Sequence, residues 1–116
     1  MEKIGAGEVE DSLYWVIRLT ERGEAVGYVG LHRISTESPA LSYAILPQYR
    51  REGIASDALQ SILAHIHRAM GIHSVYARTG ERNVASAALL TKLGFSGPVR
   101  VTASHGPRLE FVHKQN

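Results

Sequence analysis

The sequence contains no cysteine. That removes a disulfide framework, a Cys-ligated zinc centre and a thiol nucleophile, and it fits a reducing, cytoplasmic setting. Excess charge is equally scarce: 13 Lys and Arg against 11 Asp and Glu leave a net +2. A nucleic-acid surface calls for a dense basic stripe, so no nucleic-acid partner is expected, and a small anion held by a local cationic cluster stays open. No apolar run approaches the roughly 18 residues of a spanning helix. Nor does an apolar stretch follow Met1-Glu2-Lys3-Ile4-Gly5, so neither a signal peptide nor a membrane partner is expected. The six histidines include no His-Glu-x-x-His, and His65 and His67 fall on different sides of a helical pattern. No metal site is expected.

What is present reads as one domain over residues 1–116, a length that buries roughly two-thirds of its unfolded surface. Residues 1–11 are rich in Gly and Glu, lack periodicity and read as a loose leader. Leu13, Trp15, Ile17 and Leu19 alternate with Tyr14, Val16 and Arg18, a strand pattern. Thr20 to Glu24 reads as a turn, Ala25 to Ile34 as the second arm of an antiparallel hairpin, and Leu41 to Leu46 as a strand stopped by Pro47. The period then changes. Ile54, Ala58, Ile62, Ile66 and Met70 recur every four residues, which predicts an amphipathic helix of about four turns. Ser74 to Ala77 reads as a strand and Val84 to Leu93 as a second helix. Gly94 is placed to end that helix in the left-handed conformation, with Phe95 packing back on Leu90. Val99 to Thr102 and Leu109 to Val112 are closing strands around a Gly106-Pro107 turn. The order β-β-β-α-β-α-β-β predicts an α+β, three-layer α/β architecture with a mixed, mostly antiparallel sheet and two helices.

The segment with most chemistry runs from Pro47 to Ser56, between a strand and a helix. Gly53 and Ala55 remove side-chain bulk where a backbone must approach a ligand. The first N–H groups of a helix lack intrahelical partners and carry partial positive charge, so they form an anion site. Arg50 and Arg51 add cationic charge and Ser56 a hydroxyl. A diphosphate suits this set, and an ordinary solvated turn with two surface arginines is the plainer alternative. No Gly-Lys-Ser/Thr follows, which argues against a P-loop.

Arg50-x-x-Gly53-x-Ala55 resembles the Arg/Gln-x-x-Gly-x-Gly/Ala signature of the GCN5-related N-acetyltransferases. The run Tyr43 to Pro47, with Gly53-Ile54-Ala55 and Ala58-Leu59, is similar to the ribosomal-protein-alanine acetyltransferase branch. So is Asn83-x-x-Ser86-x-x-Leu89-Leu90-x-Lys92-Leu93-Gly94-Phe95. The resemblance covers roughly Tyr14 to Phe95. It implies transfer of an acetyl group from acetyl-CoA to a primary amine, either a protein N-terminal α-amine or a small-molecule amine, with CoA as product. It implies pantetheine bonded to backbone at Ile45 and Leu46, and an oxyanion held by a backbone N–H near Leu46. The diphosphate would lie on Arg50, Arg51, Gly53, Ile54, Ala55 and Ser56. Asn83 would hold the pantetheine amide, with a helix N-cap as its alternative role. Ser86 would approach the thiol end, or serve as a small packing residue. Many relatives carry Tyr where this chain has Leu90, so Ser86 or water must protonate the thiolate. Glu37, Tyr43, Tyr76 and His32 are candidate bases, and each also has an ordinary structural reading.

The resemblance also exposes a departure. The first clear strand is similar to the family's second, so the N-terminal strand and helices that wall the acceptor site are expected to be missing. An open acceptor site, a homodimer that completes it, a CoA-binding module without turnover and a scaffold kept for protein interaction all follow as readings. Strand Leu13 to Leu19 would then be an exposed edge, suited to dimer pairing, with the C-terminal strands as the alternative.

Overall fold

A computed structural model describes residues 2–3, 11–19, 23–50, 53–104 and 106–115. Arg51 and most of the leader and of the first turn lie outside these residues. Among the described residues, seven strands and two α-helices run β1 (Glu2–Lys3), β2 (Leu13–Arg18), β3 (Ala25–His32), β4 (Ala40–Ile45), α1 (Ile54–Arg68), β5 (Ser74–Gly80), α2 (Val84–Lys92), β6 (Ser96–Ala103) and β7 (Gly106–Lys114). The sheet order is β1-β2-β3-β4-β5-β7-β6. Every neighbouring pair is antiparallel except β4 and β5, which run parallel. This is the expected mixed sheet, and the two expected helices are in place.

Alternation decides which side of the sheet is covered. Trp15 lies opposite Val29, and Leu31 opposite Leu41, so these residues share a face. Both helices pack on that face, and Val29, Leu31, Leu59, Ile66, Leu90 and Phe111 are almost wholly buried there. The opposite face carries Tyr14, Tyr28, Ser42 and Ala44. Among the described residues no helix covers it.

The second helix ends as its glycine suggests. In α2 the Phe95 N–H donates to the Leu90 carbonyl at 3.0 Å and the Gly94 N–H to Thr91 at 3.1 Å, with Gly94 at φ +95°. That is the Schellman bond pair, and the accompanying Phe95–Leu90 contact lies in the core.

Three expectations change. Glu2 and Lys3 pair with Val16 and Trp15, so the leader begins with a short strand and β2 is not the edge at those positions. β5 continues through Gly80, because Arg78, Thr79 and Gly80 find partners on β7. Gly106 and Pro107 belong to β7, paired with Ala103 and Thr102, and so are strand residues rather than the turn. β6 is exposed over most of its length, so no alternation announces it.

Candidate functional site

β4 and β5 pair only at Ala40–Tyr76 and Leu41–Ala77. Beyond these pairs the parallel strands diverge and leave a cleft of about 880 Å³. Its walls are the ends of β4 and β5, the first turn of α1 and one side of α2. A sheet that opens in this way exposes backbone groups that a ladder would otherwise consume. The Leu46 N–H is not among them, because it donates to the Val26 carbonyl at 2.8 Å. In an antiparallel ladder alternate residues turn their amides to opposite sides. Leu46 turns towards β3, and Pro39 towards β5 through its bond from the Tyr76 N–H at 2.8 Å. Tyr43 and Ile45 share the parity of Pro39 and direct their amides into the cleft. The backbone group expected near Leu46 therefore comes from its neighbour Ile45, a distinction that depends on register and is invisible in composition.

At the floor, Gly53 caps α1 with φ +77° and ψ 0°. A Cβ built there meets no protein atom within 4 Å. The αL conformation explains why glycine suits the position, and the open space explains what it leaves room for. Ile54, Ala55 and Ser56 follow as the first turn, where N–H groups lack helical partners. Ser56 is buried against the helix, and Arg50 extends at the entrance with Nε 3.4 Å from the Ile45 carbonyl. Ile45, Arg50, Gly53, Ile54, Ala55, Ser56, Asn83 and Ser86 thus all line one cleft. Arg78 also lines it, with its charge matched by Glu110 at 2.9 Å.

The far wall is α2. Asn83 is its N-cap, and its Oδ1 accepts from the Ser86 N–H at 3.1 Å. Capping thus fixes Ser86 on the inner side of the first turn. Across the cleft the Tyr43 hydroxyl meets the Ser86 Oγ at 2.7 Å. Either oxygen can donate, so the pair is a ready proton path. The sequence presented Tyr43 and Ser86 separately. The signal linking them was parity: Tyr43 alternates in step with Leu41 and Ile45, which places it on the helix side of β4. Glu37 lies exposed in the loop after β3, away from the cleft lining, and Tyr76 occupies the uncovered face with His32. Among the described residues, no group of three or more metal-ligating side chains converges, and no helix is long and apolar enough to cross a membrane.

Residues 1–96 match the model of the acetyltransferase (GNAT) domain. An uncharacterised N-acetyltransferase of Bacillus subtilis, YoaA, is 29% identical over 83 residues, which is 70% of this chain and 47% of that protein. The chain thus spans about half the length of the curated relative it matches. Among solved structures, the ribosomal-protein-S5-alanine acetyltransferase of Vibrio fischeri superposes with TM-score 0.82 at 18% identity, over 90% of this chain and 62% of that one. RimJ of Mycobacterium smegmatis, in complex with CoA-disulfide, gives 0.80 at 24% identity, covering 90% and 53%. A spermidine N-acetyltransferase variant of Vibrio cholerae, SpeG F149A, gives 0.81 at 15%, covering 90% and 66%.

Proposed function

Because the chain belongs to the acetyltransferase (GNAT) domain family, we propose that it transfers an acetyl group from acetyl-CoA to a primary amine. The observation that carries this reading is the diverging β4–β5 pair with the first turn of α1 at its floor. Arg50, Arg51, Gly53, Ile54, Ala55 and Ser56 hold the diphosphate, with Arg50 and Arg51 contributing salt-screened positive charge. Pantetheine lies between the strands and bonds to the Ile45 backbone, with Leu46 beside it. Asn83 both caps α2 and meets the pantetheine amide.

The neutral amine attacks the thioester carbonyl. The oxyanion that forms is held by a backbone N–H turned into the cleft, such as that of Ile45. The nitrogen gives up its surplus proton, the C–S bond breaks, and the thiolate takes a proton from the Ser86 Oγ, which draws its own from the Tyr43 hydroxyl, itself reprotonated from solvent. A phenol is a far better final proton donor to a thiolate than an isolated aliphatic alcohol. The acceptor is a protein N-terminal α-amine or a small amine, the two classes named by the ribosomal-protein and spermidine enzymes that share the fold. A cytoplasmic setting and a homodimer through the C-terminal strands belong to the same reading.

A second reading is a CoA-binding module without turnover. It is favoured by Leu90, where many relatives carry tyrosine, and by the lack of an acceptor wall among the described residues. Free-thiol release from acetyl-CoA separates the two, with spermidine and a peptide with an N-terminal alanine as acceptors. Amine-dependent thiol release supports transfer. Tight CoA binding without release under any amine supports the module.

A further inference from the structure

The uncovered sheet face carries a second side-chain relay. His32, at the end of β3, folds its ring back over Gly30, and its Nε2 meets the Ser42 Oγ at 2.7 Å. Its Nδ1 meets the Ser12 Oγ at 3.2 Å. Ser12 is itself buried, so the imidazole is held from both ends. A Cβ added at Gly30 would come within 2.9 Å of both His32 Nε2 and Ser42 Oγ. The glycine in mid-strand is therefore space reserved for this pair, at a position where glycine otherwise weakens a strand. Ser42 lines the same cleft as Tyr43, and their alternation on β4 puts the two side chains on opposite faces.

Resting on the transfer reading above, we propose that Ser42 and His32 are its base side, and that the acceptor amine enters from the sheet face opposite the helices. Ser42 Oγ touches the incoming nitrogen, and His32 is the positioning residue behind it. As the C–N bond forms, the nitrogen loses a proton to Ser42 Oγ while the Ser42 hydroxyl proton passes to His32 Nε2. The C–S bond then breaks towards the Tyr43–Ser86 side, which protonates the thiolate. His32 returns its proton to solvent and Tyr43 is reprotonated from solvent, so the sum is amine plus thioester to amide plus thiol. The step needs neutral His32 with the hydrogen on Nδ1, and the Ser12 oxygen is placed to accept that hydrogen.

The surroundings favour that state. Burial first, and the neighbouring Arg33 charge second, hold the His32 pKa below its ordinary value. Tyr14 on β2 approaches edge-on at 5.4 Å, and Tyr28 stands behind Tyr14 at 6.3 Å. Asp11, the neighbour of Ser12 in sequence, spends its carboxylate on the Ser35 N–H and hydroxyl. Among the described residues no carboxylate bonds to the ring.

The test is the pH dependence of kcat/KM for wild type, His32→Gln and Ser42→Ala, using acetyl-CoA and the faster acceptor of spermidine or an alanine-terminated peptide. The ratio of wild type to variant cancels the amine's own titration. We expect a ratio of about 10²-fold on the alkaline plateau, at the low end of general-base contributions. It should fall towards one as the pH drops through the His32 pKa, with CoA affinity unchanged. Gly30→Ala should give the same pH-dependent ratio while leaving both functional side chains present, and circular dichroism reports whether each variant is folded. A flat ratio near one in folded His32→Gln overturns the relay alone. Wild type that releases no thiol with either amine overturns the transfer reading, and the relay with it.

Discussion

Tyr43 and Ser86 approach each other from opposite walls of the cleft, and their 2.7 Å contact makes them a unit. Ser86→Ala should lower turnover about 10²-fold, the lower end of general-acid effects, with little change in CoA affinity. Tyr43→Phe should lower turnover as well, and the double variant should lose much less than the product of the two, since groups that act through one another are not additive. Steady-state kinetics with calorimetric CoA affinities checks both, and normal turnover in Ser86→Ala returns that serine to a packing role. These residues were legible in part. Asn83-x-x-Ser86 stood out as a motif, and Asn83 does cap the helix. The contact with Tyr43 was not legible, because it joins residues 43 apart through a strand–helix crossing that only the fold sets. The Ser12–His32–Ser42 chain was hidden for the same reason: His32 stood out as a candidate base, but nothing in the sequence joins it to Ser12 or Ser42.

At the scale of elements, the two helix N-termini can be tested separately. Gly53 holds φ +77° in open space, so Gly53→Ala meets no protein atom and costs only the left-handed backbone, roughly 1–2 kcal/mol. Gly53→Val should cost somewhat more stability and nearly abolish CoA binding. A loss of CoA affinity beyond the thermal destabilisation reports a collision with ligand rather than with the chain. At α2, Asn83→Ala should destabilise by about 1 kcal/mol through the lost cap. Asn83→Asp keeps the cap, so any CoA affinity it loses belongs to the pantetheine contact. Thermal melts and calorimetry on the same preparations separate these terms.

Another inter-element contact titrates. His67 on α1 donates from Nδ1 to the Ile72 carbonyl at 2.7 Å, which leaves its Nε2 to accept from His113 Nδ1 of β7 at 2.8 Å. Burial first, then the charge of His67, lower the His113 pKa, partly offset by a bond to the Leu93 backbone. His32 is lowered too, again chiefly by burial. Both groups are neutral more readily folded than unfolded, so the folded state binds fewer protons. Their contribution is complete above the unfolded value near 6.5 and is lost as the pH falls through the lower folded values. The melting temperature should therefore drop as the pH falls below about 6.5, and His113→Gln should flatten that drop.

For the whole molecule, patterning located the core strands and both helices because each buries one face against a continuous core, where period and burial agree. It failed at the margins, where pairing alone extends a strand: Arg78 to Gly80 on β5, and nearly all of exposed β6. It also could not separate Leu46 from Ile45 as the source of a cleft-facing amide, since strand parity there depends on the ladder with β3. β6 is one sheet edge and presents Val99 with 62% of its surface exposed. Edge strands invite pairing, so we expect a dimer in sedimentation velocity at tens of micromolar, and a clean monomer there would count against it. The transfer chemistry proposed for this chain depends on the diverging strands as the seat of a CoA diphosphate and pantetheine. Isothermal calorimetry with CoA measures that directly: we expect saturable one-to-one binding that Gly53→Val removes and that pantetheine lacking its phosphates matches only weakly. No heat of binding at millimolar CoA would contradict it.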